Sequence, residues 1–184
     1  IAARPGLRVP GGWDGFELAI RAILGQQITI TAARKLAGQL VESHGRKMGP
    51  NPWGLTHVFP APADLLKGSL ENLGMPGARR QALLAMAAAA ADDPDLFRSG
   101  TSIEETVARL CAIKGIGDWS AHYIALRVVR ESDAFPASDV GLLRGATQPG
   151  GTRPTPKELL ARAESWRPWR AYAAQHLWAA DPAI

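Results

Sequence analysis

The sequence predicts an all-α, multi-helix domain. Apolar residues recur at the 3.6-residue period of helices, and helix-capping residues stand just before those stripes. No segment shows the period-two alternation of a strand, and there is no repeat or low-complexity tail. After a loop-like start, "DGFELAIRAILGQQ" carries Phe16, Ile20, Ile23 and Leu24 on one helical face, with Asp14 as the cap. A second helix is predicted from Thr31 to His44. Residues 45–61 hold three prolines and three glycines and read as a loop. Two short helices, a turn at Gly74–Gly77 and a long helix to Ala91 follow. Ser102 caps a helix over Ile103–Cys111, and Trp119, Tyr123, Leu126 and Val129 mark a helix over Asp118–Arg130. Helices at 139–147, Pro156–Ala163 and Pro168–Ala179 complete the prediction.

The composition narrows the function classes. A chain of 184 residues, 46% hydrophobic, can bury a core as one domain or one domain with a small lobe. No run approaches the roughly 18 apolar residues of a membrane span, since the Ala-rich stretch 82–91 is bounded by Arg79, Arg80, Asp92 and Asp93. The start lacks both a signal-like apolar core and a methionine, so the chain reads as a piece of something longer. The single cysteine, Cys111, excludes an internal disulfide and a thiolate cluster, suits a reducing compartment and is expected in the core. His44, His57, His122 and His176 have no ligand spacing, so no catalytic metal and no cofactor are expected. The net charge of +4 is compatible with a polyanionic partner without requiring one.

The stretch "IKGIG" joins two predicted helices. Glycine permits positive φ and leaves backbone N–H groups uncovered, so Gly115, Gly117 and the start of the next helix could receive a phosphate oxygen, with Ile116 pinning the loop. The same residues would serve an ordinary helix–helix turn with a glycine cap. Asp139 likewise has two readings, an N-cap or a functional carboxylate. Chain reach allows it to return beside Trp119: the helix after the hairpin carries the chain roughly 20 Å, and residues 131–138 span up to roughly 27 Å.

"LCAIKGIGDWSAHYIALRVV" resembles the helix-hairpin-helix element of DNA repair glycosylases, and "DAFPASDVGLLRG" places Asp139 where that superfamily carries an essential aspartate. "FELAIRAILGQQITITAARKLAGQL", "ENLGMPGARRQALLAMA" and "ESWRPWRAYAAQHLW" are similar to the 3-methyladenine DNA glycosylase II family, so that the resemblance covers the chain from Trp13 onward. It implies a helix-hairpin-helix glycosylase domain over 1–184, with two helical lobes around a cleft, the hairpin at about 103–130, and the family's N-terminal lobe absent. It also implies a glycosylase that excises alkylated purines from double-stranded DNA in base excision repair. The expected setting is the cytoplasm, at the nucleoid; one site on one duplex requires only a monomer.

The resemblance assigns roles residue by residue. Asp139 is the catalytic carboxylate, which stabilises positive charge growing on the sugar. Trp119, Tyr123 and Trp166 form the base pocket, where electron-rich rings favour a cationic alkylated purine. Trp13, Trp53, Trp169 and Trp178 are expected to serve mostly in packing. Gln26 and Gln27, in "GQQIT", align with the turn whose side chain fills the gap left by the flipped base; some relatives carry a bulkier apolar wedge at Gln27. Lys114, Gly115, Ile116, Gly117 and Ser120 are the DNA-binding hairpin, with Lys114 replacing a common proline and Ser120 a more usual threonine. Trp119 stands where relatives with lyase chemistry carry a lysine, which implies no strand nicking, and the iron–sulfur members' cysteine quartet is absent. A non-catalytic DNA-binding module, a regulatory portion of a fused polypeptide and a glycosylase for oxidised or mismatched bases are the alternatives.

Overall fold

The structure, a computed structural model, describes residues 4–100 and 102–181; residues 1–3, 101 and 182–184 of the predicted domain lie outside it. Among the described residues it has nine α-helices and no strand. They are α1 Gly15–Leu24, α2 Ile30–His44, α3 Pro62–Lys67, α4 Gly77–Asp92, α5 Ile103–Cys111, α6 Asp118–Ile124, α7 Val140–Gly145, α8 Pro156–Ala163 and α9 Arg170–Ala180. None is long and apolar enough to cross a membrane. The capping signals act locally as expected. Asp14 accepts from the Glu17 amide at 2.7 Å. Ser102 accepts from the Glu105 amide at 3.1 Å, and Thr155 forms a capping box with Glu158.

The chain divides into two compact units. One comprises Asp14–Arg98 with Arg109–Ile116. In it α1 packs on α2 and α4, and α3 on α4. Phe16, Ile20, Ile23, Leu24, Leu40, Leu65, Leu83 and Met86 are buried there. The loop over 45–61 contains a short ribbon, in which Lys47 pairs with His57 in an isolated antiparallel bridge.

The other unit comprises the residues up to Trp13, Ser99–Ala108 and everything from Gly117 onward. Here α7 lies against α9 in very close approach, and the loop over 131–138 delivers Asp139 to the start of α7. That loop is fixed at several points. Arg170, 4% exposed, holds the Asp133 carboxylate with two hydrogen bonds of 2.7 and 2.8 Å, and the Ala171 amide donates to the Ser132 carbonyl at 2.9 Å. The Phe135 amide donates to His122 Nδ1 at 3.3 Å. Burial pushes this imidazole below its ordinary range, only partly offset by Asp118, which matches an acceptor nitrogen.

Several expectations are corrected. The helix predicted to run evenly to Arg130 winds as a π-helix over Ala125–Val129, because Arg130 takes a left-handed conformation (φ 65°) and its amide, like that of Glu131, closes on the Ala125 carbonyl. The last helix starts at Arg170 rather than Pro168, since the Ala171 amide is spent on Ser132 instead of on a preceding helical turn. Cys111 is exposed, because Ile103, Thr106 and Leu110 form the buried stripe of α5 and Cys111 points away from it. Trp13, Trp53 and Trp169 do not pack inside: they are 107%, 78% and 59% exposed, lying in connections that have no helical face to bury them.

Two glycines give contrasting predictions. Gly115 has φ +87°, and a Cβ there would lie 2.5 Å from that of Ala82. Gly115→Ala should therefore destabilise by about 2–3 kcal/mol. Gly38, inside α2, has nothing within 4 Å of the position a Cβ would take. Gly38→Ala should stabilise by about 0.5–1 kcal/mol, both changes being read from urea unfolding midpoints.

Candidate active site

The site is built on a helix start. Asp139 is the N-cap of α7, and its Oδ1 accepts from the Leu142 amide at 3.0 Å. Two indoles supply further donors: Trp119 Nε1 gives its hydrogen to Oδ2 at 2.9 Å, and Trp178 Nε1 to Oδ1 at 2.8 Å. One carboxylate therefore receives three N–H groups, from the first turn of α6, the first turn of α7 and the last turn of α9. Each donor comes from a group fixed by its helix, so the side chain has little rotational freedom.

The aromatic residues gather around this carboxylate. Trp119 and Tyr123, one turn apart on α6, stack with centroids 5.3 Å apart and planes at 17°. Tyr123 also meets Trp178 edge to face, at a centroid distance of 6.2 Å. Both arrangements suit the ring quadrupoles. Arg127, one further turn on, lays its guanidinium 5.7 Å from the Tyr123 centroid and 5.0 Å from that of Trp178. These are cation–π distances. Its Nη1 meanwhile donates to the Pro10 carbonyl. Tyr123 thus contacts both a ring and a cation, and Trp119 and Tyr123 are each partly exposed. Trp166 does not join this group. It meets Phe135 edge to face at 6.0 Å, and among the described residues no ring contact links it to Trp119 or Tyr123.

In the unit comprising Asp14–Arg98 and Arg109–Ile116, the two turns expected to face DNA adjoin. Gln26 Nε2 donates to the Gly115 carbonyl at 3.3 Å, and Arg79 donates to the Gln26 carbonyl. Gln27 is exposed and held at φ 56°, in the left-handed region. A non-glycine residue enters that region only when its neighbours impose it. Lys114 is exposed and Ile116 is 5% exposed, so the first reaches solvent and the second anchors the loop. In the other unit, Gly117 is the extended N-cap of α6 and provides no side-chain cap to the first amides of that helix. Ser120, in the first turn of that helix, is 3% exposed.

Sequence reasoning missed Trp178 as a partner of Asp139. Its helical spacing with Ala171 and Ala174 could have shown that it faces inward, but not what it would meet. The Arg144–Asp181 pair was missed as well: Nε and Nη2 of Arg144 contact the buried Asp181 carboxylate at 3.0, 3.1 and 2.7 Å. That bond raises the Arg144 guanidinium above its ordinary range.

The two indole bonds change what is expected of Asp139→Asn. An amide oxygen can keep the cap and the Trp178 bond, but the amide NH2 then faces the Trp119 N–H, donor against donor. The variant should remain folded and lose about 1–2 kcal/mol in urea unfolding, where preservation of the cap alone predicts no loss.

Residues 20–171 match the family model described as HhH-GPD superfamily base excision DNA repair protein. The chain is 38% identical to the probable bifunctional transcriptional activator/DNA repair enzyme AlkA of Mycobacterium tuberculosis, a match covering 97% of this chain and 36% of that protein. It is 37% identical to DNA-3-methyladenine glycosylase 2 of Escherichia coli, over 96% of this chain and 61% of that one. The chain thus spans between about a third and three-fifths of the length of these curated relatives. A solved structure of 3-methyladenine DNA glycosylase from Schizosaccharomyces pombe, in complex with abasic DNA, has a TM-score of 0.72 at 25% identity, covering 95% of this chain and 84% of that one. With the family model matching from α1 to the start of α9, the chain belongs to the HhH-GPD superfamily of base excision DNA repair proteins.

Proposed function

We propose that this chain is a monofunctional DNA glycosylase that releases alkylated purines of the 3-methyladenine type from duplex DNA and leaves an abasic site for base excision repair. The observation that carries this reading is the Asp139 carboxylate held at the start of α7 by two indole N–H groups, beside a stacked tryptophan and tyrosine. The names of the relatives, DNA-3-methyladenine glycosylase among them, agree with it.

Breaking the C1′–N bond sends its electron pair into the departing base and leaves positive charge on the sugar. A carboxylate fixed on the ring face stabilises that charge and can orient the water that adds to C1′. Alkylation of a purine ring nitrogen makes the base cationic and a better leaving group. The outer face of Trp119 would bind such a base by stacking and cation–π attraction, gaining less from a neutral one. Tyr123 would act by supporting Trp119 from behind, Trp166 is assigned to the base pocket by the resemblance alone, and Trp178 holds the carboxylate.

The target nucleotide must leave the stack, and Gln27, exposed on its constrained turn, is suited to fill the gap and hydrogen-bond the opposite base. Gln26 ties that turn to the Gly115 loop, so gap filling and phosphate binding by Lys114 and Gly115 would be mechanically linked. Trp119 occupies the place of the Schiff-base lysine of bifunctional relatives, so strand cleavage is not expected. The setting we assign is the cytoplasm, on nucleoid DNA, with a monomer acting on each duplex.

The test is release of free base from methylated duplex DNA by wild type and Asp139→Asn, followed by alkali. Wild type should release methylated purines, Asp139→Asn should be slower by a factor on the order of 100–1,000, and strand breaks should appear only after alkali. No release by wild type despite DNA binding would favour a non-catalytic module, and breaks before alkali would refute the monofunctional assignment.

A further inference from the structure

A second carboxylate lies close to Asp139. A Cβ at Gly141 would stand 3.1 Å from Asp139 Oδ1, 3.3 Å from Asp181 Oδ2 and 3.0 Å from Trp178 Cδ1. Both carboxylates therefore lie within 3.3 Å of one point, the place a Gly141 Cβ would take. The Asp181 side chain is 0% exposed, and Arg144, 40% exposed, closes on it through both Nε and Nη2. Such a fork fixes direction as well as charge, which a lysine cannot do.

The contacts form a closed ring. Asp139 Oδ1 receives Trp178 Nε1; the Asp181 amide donates to the Trp178 carbonyl at 3.1 Å; Asp181 is held by Arg144; and Arg144 is two residues beyond Leu142, whose amide returns to Asp139 Oδ1. The helices bearing these groups approach so closely that a Cβ at Gly145 would lie 1.9 Å from the Leu177 carbonyl oxygen. With no side chain between them, the relative placement of α7 and α9 near Trp178 depends on what joins their ends. The Arg144–Asp181 pair is such a joint.

We infer that Arg144 and Asp181 are positioning residues for the reaction: their ion pair locks the end of α9 onto α7 and so keeps the Trp178 indole N–H on the Asp139 carboxylate. The inference rests on the catalytic reading of Asp139. Neither residue touches the reacting atoms, and both act through Trp178. A second effect is that the guanidinium neutralises a buried carboxylate beside the one that must face the sugar.

The test compares wild type with Arg144→Met, Arg144→Lys and Asp181→Asn by two readouts. The first is the indole N–H resonance of Trp178 in the free protein, with the fully exposed Trp13 as internal reference. In Arg144→Met it should move toward the Trp13 position while the Trp119 resonance stays. The second is single-turnover base release at saturating enzyme. It should fall about tenfold to a hundredfold, the size expected of a displacement of roughly 1 Å, with Kd for abasic duplex changing less than about threefold. Arg144→Lys, which keeps the charge without the fork, should fall between the two. If Arg144→Met does not fold, Arg144→Lys and Asp181→Asn carry the same readouts. An unmoved Trp178 resonance with an unchanged rate overturns the inference, as does loss of DNA affinity at an unchanged rate, which would make Arg144 a phosphate contact. If wild type releases no base, the catalytic reading of Asp139 falls, and the resonance still decides whether the pair holds Trp178.

Discussion

Three N–H groups converge on one carboxylate, and the unit that begins again at Gly117 is arranged around that requirement. The donors reach Asp139 from three different helices, two through indole nitrogens and one through the α7 backbone. An aspartate at a helix N-cap is common; one that also accepts two indoles is over-determined, and that rigidity is what an electrostatic catalyst needs. The same bonds make the residue structural, so the catalytic role proposed for Asp139 would overlap a stabilising one.

Meeting this requirement constrains the neighbours. Helices α7 and α9 can approach only because Gly141 and Gly145 present no side chain where Trp178 and the Leu177 carbonyl stand. Asp133 and Arg170 fix the loop that delivers Asp139, and Phe135 within that loop is 1% exposed. Arg127 lies over both Tyr123 and Trp178, so the cation–π capacity of those rings is already used by the protein. Under the proposed function, a cationic base would then find its main stacking partner in Trp119.

Much of this was legible in the sequence where the relation was local. Asp14 and Ser102 begin their helices as their side chains dictate, and Trp119 and Tyr123 share a face because they are four residues apart. Chain reach put Asp139 within range of Trp119, and the hydrogen bond between them lies at that range. What escaped was long-range. Nothing within α9 announces that Trp178 meets a residue 39 positions earlier, since that contact depends on a helix crossing set by two glycines. The exposure of Trp13, Trp53 and Trp169 escaped for a related reason: apolar character predicts burial only when an element offers a face to bury it on. The π-helical turn before Arg130 carries no signal in period or composition, because it arises from backbone closure on Ala125.

The central claim is that the Asp139 carboxylate stabilises positive charge on the sugar, and a transition-state mimic tests it most directly. Duplexes carrying a cationic pyrrolidine or a neutral tetrahydrofuran at the abasic position differ at that site only in charge. Wild type should bind the pyrrolidine duplex at least about tenfold more tightly, and Asp139→Asn should lose that preference while retaining affinity for the neutral duplex. Equal binding of the two duplexes by wild type, or a preference that survives in Asp139→Asn, would contradict the account.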